Sequence, residues 1–145
     1  MERISKDKIL RLWALVVYER GKSQYRGEIP GLIISAGTKN GRTFGQYFPN
    51  IIKIWVGPHL NFKEIASTTL HEYEHYLQFW PWYIRYQNMY GYKKNPYEAK
   101  AVEAEYLAPF LIQGISDDSW KSLCRKNKEI KRLYSVLAER VTFNI

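Results

Sequence analysis

Asn61-Phe62-Lys63-Glu64-Ile65-Ala66-Ser67-Thr68-Thr69-Leu70-His71-Glu72-Tyr73-Glu74-His75-Tyr76-Leu77-Gln78-Phe79-Trp80-Pro81 carries a complete helix signature and two of the chain's three histidines. Asn61 suits a helix N-cap, and Glu64 follows three residues later, as a capping box requires. No Gly or Pro interrupts Phe62 to Trp80. Pro81 has no N–H and disfavours helix in the residue before it. The pattern predicts a helix over Phe62–Phe79. On it, Thr68, His71, His75 and Gln78 fall along one stripe. Ile65, Leu70, Tyr73 and Leu77 supply much of the apolar surface.

Within this helix, His71-Glu72-Tyr73-Glu74-His75 reads His-Glu-x-x-His. Residues four apart lie on one face, about one turn from each other. Two imidazoles at that spacing can hold one zinc ion. Glu72 can then reach the water on that metal and take its proton, which is the pattern of a zinc-dependent peptidase. The competing reading is a helix that carries two histidines and two glutamates and no metal.

A catalytic zinc takes three protein ligands and leaves the fourth position to water. His59, in the turn Gly57-Pro58-His59, reads as a loop histidine or a group on the substrate side. The carboxylates concentrate in Asn95-Pro96-Tyr97-Glu98-Ala99-Lys100-Ala101-Val102-Glu103-Ala104-Glu105. Asn95 is an N-cap, Pro96 the first helical residue, and Glu98 falls at N3. A glutamate there is either a ligand or the capping-box partner of the Asn95 N–H. Glu103 and Glu105 read as solvated helix charges. Yet Glu98, Val102 and Glu105 share a face, so Glu105 can stand near whatever Glu98 binds. Carboxylates often orient metal-bound histidines through the distal ring nitrogen.

His71-Glu72-x-x-His75-x-x-Gln78, an aromatic-rich stretch, then Asn95-Pro96-Tyr97-Glu98-x-x-Ala101 resembles the gluzincin clan of zinc peptidases, and its smallest members, the minigluzincins, in particular. The resemblance spans Asn61 to Glu105. It implies a Zn2+ cofactor held by His71, His75 and Glu98, with Glu72 as the general base and a peptide or protein as substrate. Many members of the clan carry an acidic residue directly after the Glu-x-x-Ala alanine, where it supports a zinc ligand. This chain has Val102 there, and Glu103 or Glu105 is expected to take that part. The metzincin pattern needs a Gly and a third His after the motif. Tyr76-Leu77-Gln78-Phe79-Trp80 follows instead.

Upstream, Ser5 to Arg20 reads as an amphipathic helix with Gly21 as its stop. Leu32–Ala36 reads as a strand, Asn40-Gly41 as a tight turn between strands, and Thr43–Phe48 as the return strand with a bulge at Gly45. Pro49-Asn50 turns again into the strand Ile51–Val56. An edge of that strand is expected to bind substrate backbone by strand addition; an ordinary interior strand is the alternative. Downstream, Trp80 to Lys94 is an aromatic connector with a short helix over Ile84–Tyr90. The resemblance implies a tyrosine or histidine that stabilises the oxyanion, and the sequence does not select it. Pro96 to Gln113 is the glutamate helix, kinked or ended by Pro109. Asp117 or Asp118 caps one last helix, with Trp120, Leu123, Cys124, Leu133, Val136 and Leu137 mostly on one side. The apolar tail Val141–Ile145 is expected to dock on the body or, as in some minigluzincins, to fill the cleft. The expected fold is α+β: one domain over residues 1–145, with a small three-stranded sheet, the histidine helix, the glutamate helix, and flanking N- and C-terminal helices.

Composition sets the remaining bounds. A chain of 145 residues buries enough surface to fold without staples. Its single cysteine, Cys124, excludes an intrachain disulfide, which suits a reducing compartment. Cys124 lies on an apolar stripe and reads as a core residue. Arg11 interrupts the run Ile9–Val17 and no small-residue cleavage site follows, so no signal peptide is expected. No stretch approaches the roughly twenty apolar residues of a membrane span. A cytoplasmic protein without a membrane partner is the expectation. The net charge is +8. Much of the excess falls at Lys121, Arg125, Lys126, Lys128, Lys131, Arg132 and Arg140, which reads first as a solvated helix face and second as a surface for nucleic acid. The rivals to a peptidase are therefore a latent or inactive zinc-binding domain and a basic nucleic-acid-associated protein.

Overall fold

The computed structural model describes residues 4–145; residues 1–3, the start of the N-terminal stretch that lacks the signal-peptide pattern, lie outside it. Helix α1 spans Lys6–Arg20. The Ser5 hydroxyl accepts from the Lys8 N–H at its start, and Gly21 ends it at φ 76°, a left-handed conformation that favours glycine. Ile9, Leu12, Trp13 and Val16 recur at helical spacing and are all buried.

Four strands form one mixed sheet in the order β2-β3-β1-β4: β1 Gly31–Ser35, β2 Gly45–Phe48, β3 Ile51–Trp55 and β4 Val141–Asn144. The expectation of three strands is corrected by β4, the C-terminal tail. It runs parallel to β1, with Leu32 opposite Val141 and Ile34 opposite Phe143. The Leu32 N–H donates to the Arg140 carbonyl at 3.0 Å, and the Ala36 N–H to the Asn144 carbonyl at 3.0 Å. Val141 and Phe143 pack on the core, so the tail satisfies both its apolar face and a row of backbone groups at once. The tail therefore docks on the body at the sheet edge opposite β2 and does not enter a cleft beside α2.

The order of the other strands also departs from the sequence reading. Asn40-Gly41 does turn, with Gly41 at φ 78° and the Asn40 carboxamide accepting from the Arg42 and Thr43 N–H groups. It does not join two paired strands. β1 pairs in parallel with β3, and β2 pairs antiparallel with β3 through the Pro49-Asn50 turn. Burial explains the choice: Leu32, Ile34, Ile52 and Ile54 are fully buried, so β1 and β3 take the centre. β3 is thus an interior strand, paired on both sides, and the expected binding edge along Ile51–Val56 does not exist. The edge strands are β2 and β4, and of these β2 lies beside α2.

Gly45 forms no bulge; it stands in regular register opposite Ile54. Its small size serves a close approach. A Cβ there would lie 2.7 Å from Thr68 Cγ2 and 3.0 Å from Ile54 Cδ1. Gly45 lets β2 lie against the next helix one turn before His71. Gly45→Ala is expected to cost about 1–3 kcal/mol of stability by overpacking. Adding Thr68→Ser, which removes the clashing methyl, should recover part of it in chemical denaturation. An unchanged stability in Gly45→Ala would contradict this packing.

Helix α2 runs Phe62–Leu77, capped by the Asn61 side chain, which accepts from the Glu64 N–H at 2.9 Å. It ends two residues earlier than the sequence reading, because Gln78 turns extended. Pro81 then sits in the first turn of α3, Trp80–Tyr90, where its missing N–H costs nothing. Helix α4 spans Pro96–Ala104, a 3-10 turn spans Glu105–Leu107, and α5 spans Ala108–Gly114. Pro109 explains the break, since its ring excludes a helical bond to the carbonyl of Glu105 four residues earlier. The expected single last helix is two, α6 Asp117–Lys126 and α7 Lys128–Ala138. Asn127 divides them in an extended conformation and caps α7 through the Glu129 N–H. Asp117 is no cap; it pairs with Arg11 at 2.8 Å. Val136 is half exposed rather than on the buried side, and Cys124 packs at the core margin. One hydrophobic core joins α1, α2, α5, α6, α7 and the sheet. Among the described residues no helix is long and apolar enough to cross a membrane.

Candidate metal centre

Three elements bring the site together. α2 supplies His71, Glu72 and His75 from a rigid mid-helix position, with Leu70, Tyr73 and Tyr76 buried behind them. α4 supplies Glu98. Its start is fixed by Asn95, fully buried, whose carboxamide accepts from the Tyr97 N–H at 2.9 Å and donates to the Tyr83 carbonyl at 3.2 Å. The Asn95 N–H bonds to the Tyr92 carbonyl. Glu98 therefore does not close a capping box. Its carboxylate points instead at both histidines.

His71 Nε2 lies 3.1 Å from Glu98 Oε1, and His75 Nε2 lies 3.2 Å from Glu98 Oε2. A tetrahedral ion with bonds of about 2.0–2.1 Å sets its ligand atoms about 3.3 Å apart. The distal nitrogens are held as a metal site needs. His71 Nδ1 donates to Glu105 Oε2 at 2.8 Å, and His75 Nδ1 to Gln78 Oε1 at 2.9 Å. Gln78 is fixed in turn by donating to the Tyr97 carbonyl at 2.8 Å. Each histidine thus turns Nε2 toward Glu98. Imidazole and carboxylate donors this close together could hold a metal ion. Glu105 reaches His71 because the 3-10 turn redirects the chain where α4 ends. Val102 stands exposed, and Glu103 borders a different pocket with Arg20 and Glu74.

Glu72 also offers a carboxylate oxygen within 4.8 Å of both histidines' ligand atoms. Glu98 is the other carboxylate in reach, with one oxygen on each Nε2. The Tyr47 backbone N–H from β2 faces the Glu72 carboxylate. Burial pushes the Glu72 carboxyl up from its ordinary value, against the opposing pull of His75 and His71. A buried carboxyl with a raised pKa beside two histidines marks a candidate functional group.

His59 is excluded as a ligand. It is buried, with Nδ1 on the Trp55 carbonyl at 2.7 Å and Nε2 on the Thr68 hydroxyl at 2.9 Å. Its role is to tie the turn before α2 to that helix. Two tyrosines of the connector reach the site. The Tyr83 hydroxyl donates to Glu98, and its ring stacks on Trp80 at 4.5 Å. Tyr92 lines a cleft of about 450 Å3 with Arg42, Phe44, Gly45, Thr68, His71, Glu72 and Glu105. The sequence could not choose between them, because the reach of each depends on how α3 folds back. A larger cavity of about 590 Å3, bordered by α1, α5 and α6, contains no histidine or cysteine and lies apart from this chemistry.

Two predictions arise from this geometry. Without metal, burial pulls the His71 ring down, but the hydrogen bonds with Glu98 and Glu105 and the charge of Glu72 outweigh it and hold the ring at about 9. His75 is raised for similar reasons. Hydrogen bonds from His71 and His75 hold the Glu98 carboxyl far below the ordinary range despite its burial. A metal must therefore displace ring protons. Zinc affinity is expected to rise with pH up to about 9 and to level off above it. Competition with a chromophoric chelator measures this, and an affinity independent of pH from neutrality upward would contradict it. Separately, Glu105→Gln is expected to weaken zinc binding about 10–100-fold while leaving the fold intact. The same titration, with a thermal melt alongside, tests that.

No known protein family, curated protein or solved structure matches this chain.

Proposed function

We propose that the chain is a zinc-dependent peptidase in which His71, His75 and Glu98 hold the metal and Glu72 is the general base. The observation that carries the reading is the convergence of both Nε2 atoms on the two oxygens of Glu98, beside a buried glutamate in an open cleft. When bound, zinc polarises the scissile carbonyl and lowers the pKa of water toward neutrality. Glu72 takes the proton from the attacking water and delivers it to the leaving amine. Glu105 and Gln78 keep both rings in the tautomer that presents Nε2. The Tyr83 and Tyr92 hydroxyls both approach Glu98, and either supplies the donor to the oxyanion. The free edge of β2, beginning at Gly45, pairs with an extended substrate backbone.

A mixed peptide library tests the reading, with product release followed before chelation, after it, and after zinc is restored. Cleavage lost on chelation and regained with zinc supports a peptidase. Zinc-loaded protein that cleaves nothing in the library would leave a latent zinc-binding domain in its place.

A further inference from the structure

Between His75 and Glu98 the chain has no acidic residue and carries Arg85, Lys93 and Lys94. Helix α3 fills half of this segment, and none of its residues is buried. Its inner side is committed: Tyr83 reaches Glu98, and Tyr86 packs edge-on against Tyr97 at 5.4 Å. Its outer side presents Trp82, Ile84, Arg85 and Met89, all exposed, and exposed Lys93 and Lys94 follow in the next turn. A solvated helix normally turns polar residues outward. An exposed patch that is both apolar and cationic marks a contact surface.

We infer that α3 and the turn after it form a docking surface for an anionic phospholipid bilayer, lying in the interface without crossing it. Trp82 is a ring with an apolar body and a polar tip, suited to the depth of the headgroups. Ile84 and Met89 reach toward the acyl chains. Arg85, Lys93 and Lys94 meet lipid phosphates, and no carboxylate within the segment opposes them. Single-stranded nucleic acid fits less well, because base stacking needs open ring faces. The Arg85 guanidinium lies over the Trp82 ring at 5.0 Å, and Tyr86 lies tilted at 5.7 Å from the same ring. Ile84 and Met89 offer a base no ring at all. The expectation of no membrane partner rested on the lack of a spanning segment, and a surface contact needs none. Tyr92 joins this surface to the cleft it lines, so a docked molecule holds the cleft beside the lipid headgroups. The inference does not depend on the peptidase reading.

The test is sedimentation of the full chain with vesicles of phosphatidylcholine alone and of phosphatidylcholine mixed with phosphatidylglycerol, with and without chelator. Binding is expected on the mixed vesicles, weak on the neutral ones, and reduced by salt. Each interfacial cation is worth about fivefold in partitioning, so Arg85→Glu should lose at least that factor. The double variant Trp82→Ser with Met89→Ser should lose about tenfold or more. All three side chains are exposed, so the thermal melt should not move. Three results would overturn the inference. The first is no vesicle binding, or binding that the variants leave unchanged. The second is loss, in the same variants, of single-stranded DNA binding by a chain that ignores vesicles. The third is a dimer that the double variant turns into monomers.

Discussion

Glu72→Gln is expected to keep zinc bound and to lower peptide hydrolysis about 10²–10⁴-fold, the usual worth of a positioned general base. The amide matches the carboxylate in shape, so the surroundings of this nearly buried side chain need not move. What is lost is the ability to hold a proton between attack and departure of the amine. The loss should fall on kcat, with KM little changed, because β2 and not Glu72 is proposed to bind the peptide backbone. An amide is also cheaper to bury than a carboxylate that burial already disfavours, so the melting temperature should stay level or rise. A fluorogenic peptide and a metal assay on the same preparation check all of this. Full activity in Glu72→Gln would remove the proposed mechanism.

Glu98→Ala is expected to have the larger effect on the metal. A residue that only supports a ligand is worth about 10–100-fold in affinity, so loss of the carboxylate that meets both Nε2 atoms should cost more than about a hundredfold. The truncation also strips the Tyr83 hydroxyl of its acceptor and leaves the half-buried His71 ring edge-on to the buried His75 ring, 5.1 Å apart between centroids, without the carboxylate between them. An unpartnered part-buried hydroxyl adds about 1–3 kcal/mol of destabilisation. Glu98→Gln separates the two effects. It restores an acceptor for Tyr83 and the volume, while removing the charge that holds the metal. Chelator competition on both variants should show zinc weakened in each and stability recovered in the second. Wild-type zinc affinity in Glu98→Ala would assign the third ligand elsewhere, with Glu72 the nearest alternative.

The parts of the fold legible in the sequence were those fixed locally. Asn61 and Gly21 bounded their helices where the caps indicated, and the four-residue spacing put His71 and His75 on one face. The role of Glu98 was not decidable from spacing, because N3 is the position of both a capping partner and an inward-facing ligand. Only the placement of the Asn95 N–H on the Tyr92 carbonyl separates the two. Glu105 was within reach by helical periodicity, and Pro109 was read as kinking or ending the helix, but not as setting a 3-10 turn at Glu105–Leu107. Sheet order depends on pairings between distant segments. Nothing local in Gly31–Ser35 says that it will lie between Ile51–Trp55 and Val141–Asn144. The Asn-Gly turn suggested a hairpin that the burial of the two isoleucine-rich strands overrode. Asn127 broke the last helix as a cap, a use that its position inside a basic, periodic stretch concealed.

The most direct measurement is the metal content of the wild-type chain by mass spectrometry, on protein purified without a metal-affinity tag. About one zinc per chain, released by chelation and retaken on resupply, is the predicted result. A chain that contains no zinc, and takes up none when it is offered, would contradict the metal centre and reduce the His71 and His75 pair to coincidence.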